Sequence, residues 1–480
     1  MKHLTHLLII LLLAGCTATP STPDPEPDPE PAPAPIPIGP KVVLEGIYAT
    51  SEKTPFYVEN IFDEGKDAFW QTMPGAGPDE GLMLYFESPT YIDHMKIEQP
   101  GATAVMAFKQ IVLYGNGQKL DTFDLANKIN IQQELNSLYI RISEEGITKS
   151  STRMINEETS LVQTTFPGTQ SIGIANLSLY NTEGDKLYLV PPKTLRGRVR
   201  ASTTLEPEGS YHAGQLFDSR KDFVWVEGAE GHGEGESLLL QTTSATRFDA
   251  IKIWNGYQRS NEHWTKNGRV AKVSIGDGVN SHEYDIRDAG KPQLIKLIEP
   301  LTVRELHVNI LDVHKGSRYA DMVISEMRLY DNEQIMVIKT TERENFKQNL
   351  LEQAEGTVLE NLLDRRIKNK ITEEYDYAYY FDKSIILRSD YSFVVYEYNE
   401  IYEVDQEKEE IIAEGNWELL ELEPGIAKIK VFGKYINLSE LNDFYKGVSN
   451  NSVLAIFKDE LTINDNEIKG DKFFETFYIQ

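Results

Sequence analysis

The 480-residue chain has a single cysteine, Cys16. One thiol excludes an internal disulfide framework, and its place near the N-terminus excludes a cysteine nucleophile in the folded part. Positive charge is also scarce: 48 Lys and Arg stand against 75 Asp and Glu, for a net charge of −27. That balance, with a pI near 4.8, argues against nucleic acid or anionic lipid as a binding partner. So much acid makes neighbouring carboxylates common, so pairs such as Glu407/Glu409 carry no weight as a catalytic acid and base. The chain has no Gly-x-Ser-x-Gly elbow, no His-Glu-x-x-His and no phosphate loop, and its histidines are scattered. Before residue 339 no run has the spacing of a long amphipathic helix.

What is present begins at the N-terminus. Lys2 and His3 precede a continuous apolar core, Leu7 to Leu13, that ends in Ala14-Gly15-Cys16. The core is too short to cross a bilayer and reads as a secretory signal. Its L-A-G-C ending resembles the bacterial lipobox, which implies cleavage before Cys16, acylation of its thiol and attachment to a lipid bilayer of the bacterial cell envelope. Residues 17–40 alternate Pro with Asp, Glu and Ala, a composition that favours an extended tether at about 3 Å per residue. From residue 41 the chain is ordinary globular material, long enough for three domains.

One pattern occurs twice. N-I-F-D-E-G-K-D-A-F-W-Q (Asn60 to Gln71) aligns with Q-L-F-D-S-R-K-D-F-V-W-V (Gln215 to Val226), pairing Phe62/Phe217, Asp63/Asp218, Asp67/Asp222 and Trp70/Trp225 at one offset. I-A-N-L-S-L-Y-N from Ile174 matches I-S-E-M-R-L-Y-D from Ile324 at nearly the same offset. A repeat of this length is a domain, not a solenoid unit. Short alternating runs such as Leu82–Phe86, Val270–Ile275 and Leu306–Ile310, separated by Gly115-Asn116-Gly117 and Gly276-Asp277-Gly278 turns, read as strands of an antiparallel sandwich. The fold class expected is mainly β: two tandem jelly-roll sandwiches at 41–192 and 193–338. A helix-led antiparallel domain, a meander or a barrel, follows at 339–480.

The second copy, with L-F-D…W-V-E-G…G-E-G-E, I-K-I-W-N-G-Y, N-G-R-V-A-K-V-S-I and Y-A-D-M-V-I-S-E-M-R-L-Y-D, resembles the discoidin-like, galactose-binding-type jelly rolls. Within that group it resembles the NADase-type glycan-binding module. The resemblance implies a ligand-binding sandwich without chemistry of its own, commonly serving carbohydrate recognition; the fold alone does not choose the ligand. Sugars present an apolar C–H face and a rim of hydroxyls, and are met by aromatic planes with a few fixed donors and acceptors. Trp254, Asn255, Tyr257, His263, Trp264, Asn267 and Arg269 supply these between two strands, with His232 and Glu234 in the Gly-rich loop beside them. Either this segment contacts ligand, or it caps the sandwich with its tryptophans inside; Arg269 either forks onto hydroxyls or pairs with Glu227 or Glu234.

The resemblance also implies a structural calcium where the L-F-D loop nears the last strand. Asp218, Asp222 and Glu326 are its candidate ligands, against the alternative that Asp218 caps a turn and Glu326 makes a salt bridge. In the first copy Asn176 replaces Glu326 and the tryptophans of the 254–269 segment are missing, while Trp70 and Asp63 persist, which assigns them to the fold in both copies; the first repeat is either a degenerate spacer or has a different ligand.

Past residue 339, Phe346, Leu350, Ala354, Val358, Leu362 and Ile367 fall on one helical face, interrupted by Gly356. Strand patterns then return, and D-Y-S-F…E-G-N-W-E-L…I-K-V-F-G-K-Y-I is similar to lipocalin-like bacterial lipoprotein domains. Such a sheet either holds a small apolar ligand or fills with its own side chains. The cluster Tyr375, Tyr377, Tyr379, Tyr380, Phe381 reads as alternating strand packing. The function expected is a surface-exposed, lipid-anchored binding protein that recognises a glycan through the second sandwich, with no enzymatic activity. The alternatives are an adhesive envelope protein with a protein partner and an enzyme in the C-terminal domain.

Overall fold

The structure, a computed structural model, describes residues 39–63, 68–73, 80–101, 105–143, 151–156, 161–165, 171–368, 379–401, 406–435, 456–464, 467–470 and 477–478. Cys16, the tether up to residue 38, Asp67 of the repeated pattern, Tyr375 and Tyr377 lie outside them. Among the described residues no helix is long and apolar enough to cross a membrane. The chain is mainly β, with few helices.

In the region after Gly39 a seven-stranded sheet runs in the order Tyr188–Val190, Lys41–Ala49, Gly81–Glu98, Ile129–Ile142, Gln110–Gly115, Gln118–Asp124, with Asn176–Tyr180 on the far half of Gly81–Glu98. An eight-stranded sheet follows, running from Trp225–Val226 through Val323–Asp331, Gln334–Lys339, Lys193–Ala201, Ser237–Asn255, Gln293–His314 and Arg269–Gly276 to Ser281–Asp285. The pairing scheme is the same in both. The opening strand is parallel to a late short one (Lys41 opposite Tyr188, Lys193 opposite Met336) and antiparallel to a long second strand.

The long second strand explains how one chain makes two layers. Ser237–Asn255 has 19 residues, too many for a straight sandwich strand. Its register with Gln293–His314 shifts between Gln241 and Thr246 and again between Phe248 and Ala250. Before the bends it pairs with Lys193–Ala201, and after them with Val323–Asp331. It therefore turns a corner and belongs to both layers. Leu238, Leu240, Phe248, Ile251 and Ile253 of this strand enter one core with Val199, Val273, Leu306, Ile324 and Leu329.

Trp70 and Trp225 close the two cores in the same way. Both are fully buried, and each indole Nε1 donates to a carbonyl just past the opening strand: Trp70 to Ser51 O at 2.9 Å, Trp225 to Thr203 O at 3.1 Å. Both tryptophans serve the fold.

The last sheet is an antiparallel meander of eight strands in chain order, Arg366–Lys368 to Phe477–Tyr478, curled as a half-barrel. The helix Glu342–Ala354 leads into it and stops at Gly356, whose φ of +73° is open to a residue without a Cβ. Leu350, Ala354, Val358, Leu362 and Ile367 pack with Phe393, Trp417, Val431 and Ile463, so the sheet's interior is filled by the protein's own side chains. Phe346 from the same helical face instead meets the His212 ring of the second sandwich, 4.9 Å between centroids.

Charged side chains join the sheets. Asp390 of the last sheet accepts from Arg220 at 3.0 Å and from Arg343 at 2.7 Å, with its side chain only 3% exposed. Burial alone would raise the Asp390 carboxyl, but the two guanidiniums outweigh it and hold it well below the usual range. Removing one partner of such a buried cluster leaves uncompensated charge, so Asp390→Ala is expected to lose about 3–5 kcal/mol in urea unfolding at pH 7. Because the folded-state value is depressed, that loss is expected to shrink as pH falls below the ordinary carboxylate range towards the folded value.

Candidate functional site

Two places draw on the residues marked out in the sequence. One is the turn from Asp218 to Asp222, the other is the loop-bearing end of the second sandwich.

The turn is a hub between the sheets. Asp218 Oδ1 accepts from Arg220 N at 2.7 Å, which shapes the turn, and Ser219 takes a positive φ of 67°. Successive side chains then leave in different directions. Ser219 Oγ accepts from Arg328 Nη2 at 3.0 Å; Arg220 reaches Asp390; Lys221 reaches Glu45 of the first sandwich at 3.1 Å; Asp222 accepts from Lys434 of the last sheet at 2.5 Å. Glu45 also takes Lys252 at 2.6 Å, and Arg328 Nε donates to the Glu45 carbonyl at 2.8 Å. Although burial pushes the other way, the two lysines hold the Glu45 carboxyl low.

Of the three candidate calcium ligands, the turn brings Asp218 and Glu326 together and sends Asp222 away. Burial raises the carboxyl of Asp218, against the opposing pull of Arg220. It raises that of fully buried Glu326 far more, against Arg328. Glu326 Oε1 accepts from no donor, and burial together with the neighbouring Asp218 carboxyl favours the protonated form of Glu326. The Arg328 guanidinium bonds the other Glu326 oxygen. Calcium needs six to eight oxygens. Here a buried cation already lies on the carboxylate, Asp222 is committed elsewhere, and no group of three His, Cys, Asp or Glu suited to a metal gathers among the described residues. The set does not fit calcium; Glu326 makes the salt bridge and Asp218 caps the turn. A cavity of about 100 Å³ opens nearby, lined by Tyr48, Glu52, Asp218, Lys339 and Arg343 among others.

Trp254 belongs to this hub. It is 2% exposed, with Lys221, Lys252 and Arg328 at 5.2, 5.1 and 5.4 Å from its ring. The expectation of a Trp254 ring presented to solvent is therefore corrected: it packs beneath cations at the junction of the sandwiches. Asn255 is also internal. Its side chain brackets Val270, donating to Val270 O at 2.8 Å and accepting from Val270 N at 2.9 Å. Tyr257 is buried against His263, 4.8 Å between centroids, and burial pushes its hydroxyl up to about 12. His263 is bonded to Ser260 Oγ at 2.8 Å through Nδ1; burial, then Arg259, pushes its imidazole down to about 3.

The remaining candidates gather at the loop end. Ser260 caps the short helix Asn261–Lys266, which carries half-buried Trp264. The indole Nε1 donates to Asn255 O at 3.0 Å, and the Arg269 guanidinium lies 4.5 Å from the ring centroid. Gly256, at a φ of +77°, lets the backbone pass where a Cβ would strike Trp264 and Arg269. Arg269 pairs with neither Glu227 nor Glu234. It forks onto Asp288, Nε at 2.8 Å and Nη2 at 2.9 Å, and Asp288 remains 42% exposed. Asn267 Nδ2 donates to His263 O at 2.8 Å. His232 Nδ1 lies 3.3 Å from Ala320 O, beside 44%-exposed Tyr319, and Glu234 is exposed. Asp288 and Tyr319 escaped the sequence reading because each sits in a loop far along the chain with no aromatic or amide cluster around it.

Comparison with known proteins follows from this geometry. Residues 192–330 match the family model described as the NAD glycohydrolase translocation F5/8 type C domain. No curated protein matches the chain. Among solved structures, the chain is similar to the arabinofuranosyltransferase AftD from Mycobacteria, at 11% identity and a TM-score of 0.24, over 81% of this chain and 38% of that one. It thus spans well under half the length of that enzyme. It is also similar to the CBM32-1 and CBM32-2 domains of Clostridium perfringens ZmpB in complex with GalNAc, at 10% identity and TM-score 0.21, over 60% of this chain and 90% of that one. The family 32 CBM of C. perfringens NanJ in complex with galactose gives 17% identity and TM-score 0.22, over 28% and 93%.

Two outcomes follow from the buried groups. A raised folded-state value means that the native protein keeps a proton the unfolded chain releases, so the Asp218–Glu326 pair costs stability as pH rises above the ordinary carboxylate range. Glu326→Gln is neutral throughout, and the drop in urea-unfolding free energy from pH 5 to pH 8 is expected to be smaller in this variant than in the wild type. The His263 ring is expected to remain neutral by NMR down to pH 5, with no titration step between pH 5 and 8.

Proposed function

We propose that the chain is a non-catalytic binding protein whose second sandwich recognises a carbohydrate at its loop end. The observation that carries this reading is the surface of Trp264, Arg269, Asp288, His232 and Tyr319. A half-buried indole is fixed by a guanidinium whose own carboxylate partner stays accessible, within the segment that matches an F5/8 type C family model. An aromatic body beside fixed polar groups suits the two kinds of surface that a sugar offers. Trp254, Asn255, Tyr257 and His263 act as the support behind it. The equal pairing schemes favour a duplicated module, in which the first copy keeps the fold without this surface. Acylation at Cys16 and a Pro-rich tether would hold the protein at the bacterial envelope, with the sandwiches away from the bilayer. The packed interior of the last sheet favours a supporting role for it over a ligand barrel.

The full chain carrying Trp264→Ala or His232→Ala is expected to keep its melting temperature within a few degrees and to lose at least tenfold in affinity on a glycan array. Equal array signals for wild type and Trp264→Ala, or no wild-type signal on any glycan, would overturn the reading. Release of reducing sugar from a bound oligosaccharide would overturn the non-catalytic part of it.

A further inference from the structure

We infer that the outer face of the strand Lys193–Ala201 is a docking surface for an extended acidic polysaccharide. Its sequence alternates: Leu195 and Val199 enter the core, while Arg196, Arg198 and Arg200 are all exposed on the opposite face. Successive members of such a row stand about 7 Å apart, set by the rise of a strand. Arg196 is anchored, its guanidinium 4.2 Å from the Tyr57 ring and 3.8 Å from Glu59. Arg198 and Arg200 make no ion pair among the described residues.

The arginines buried or half-buried within the protein are placed differently. Arg220, Arg259, Arg269, Arg328 and Arg343 all bond to internal acceptors. In a chain with 27 surplus negative charges, unpaired guanidiniums have no shortage of acids to meet, yet the sheet sets neutral groups opposite them. Gln241 faces Arg198 and Leu239 faces Arg200. Glu305, which follows Gln241 on the next strand, accepts from the Gln241 amide at 2.7 Å. Arg198 and Arg200 thus meet no acid directly across the sheet, while Arg196 is partly neutralised by Glu59. It runs from Tyr57 of the first sandwich towards the Gly-rich loop, since Ala201 pairs with Leu238 and Ser202 N donates to Ser237 O at 2.9 Å.

A linear ligand carrying a carboxylate or sulfate on its repeating units matches a linear row of forked donors, because guanidinium bonds either group in two-point fashion. At physiological salt, screening over about 8 Å removes most of the repulsion from distant acids and leaves contact pairs intact. Nucleic acid fits less well, since the row has no interleaved aromatic rings on which bases stack.

This surface does not depend on the loop-end reading, and the experiment separates the two. The full chain is passed over immobilised heparin, with neutral dextran and duplex DNA columns as comparisons, at about 0.05 and 0.15 M salt. The wild type and Trp264→Ala are expected to be retained on heparin and to elute on raising salt, with no retention on dextran or DNA. Arg198→Glu/Arg200→Glu is expected to lose at least tenfold in affinity. Arg198→Gln/Arg200→Gln, which removes the charge without adding repulsion, is expected to fall between them. The affected side chains are exposed, so melting temperatures should match the wild type. Absence of wild-type retention, equal retention by either double variant, or equal retention on DNA would overturn the inference. The arginines would then only keep that face of the strand hydrated.

Discussion

The structure depends on a short, partly buried polar run, Ser219 to Asp222. Each residue there is committed to a different part of the chain: Ser219 to Arg328, Arg220 to Asp390, Lys221 to Glu45 and Asp222 to Lys434. Apolar cores alone would let the three large sheets associate in several ways, because hydrophobic contact has no direction. Buried ion pairs do have direction, and a misplaced arrangement leaves charges unpaired at a cost of several kcal/mol. Whatever the pairs add to stability, they discriminate strongly among arrangements. The cations over Trp254 and the buried acids Asp218 and Glu326 belong to the same constraint.

That constraint also separates supporting residues from available ones. Part of the second sandwich's loop end is covered by the last sheet, through Arg259 bonded to Asn416 and Tyr211 beside Phe432. What remains open carries Trp264, Asp288, Tyr319, His232 and Glu234. Binding is proposed for the open part, while the covered part fixes the position of the segment that supplies it. A change at Asn255 or Tyr257 would disturb recognition only by moving Trp264.

Much of this was legible in the residues. Alternation identified the strands, the repeated F-D…K-D…W pattern located two tryptophans with the same structural task, and helical spacing picked out Leu350 and Ala354; the helix ends there, and Val358, Leu362 and Ile367 reach the same core from turns and a strand instead. The loop was harder. Trp254 and Trp264 lie ten positions apart in one aromatic-rich segment, and composition treats them alike. Their fates differ because Trp254 still belongs to the long bent strand, facing the hub, while Trp264 rides on a short helix beyond its end. Register across a bulge decides this, and one sequence does not show it. The partners of the turn were out of reach for another reason: Asp222 and Lys434 are separated by most of two sheets. A calcium cage looked reasonable while Arg328 was invisible as a neighbour. Asp218 and Glu326 did come together, and the deciding neighbour was a cation supplied two residues along the same strand.

The corner-turning strand Ser237–Asn255 has one more consequence. Since a single segment is stitched into both layers, neither layer can slip over the other without breaking its ladder. The rim above is therefore held in shape from below, and the helix carrying Trp264 follows after a short link, Gly256 to Ser260, with its indole tied back to Asn255 O at that fixed end. Ordering this rim is completed when the chain folds, so a visiting molecule would meet a surface already stiff and would give up little motion in the protein on arrival. Contacts too few to organise a floppy loop can suffice for a rim built in this way.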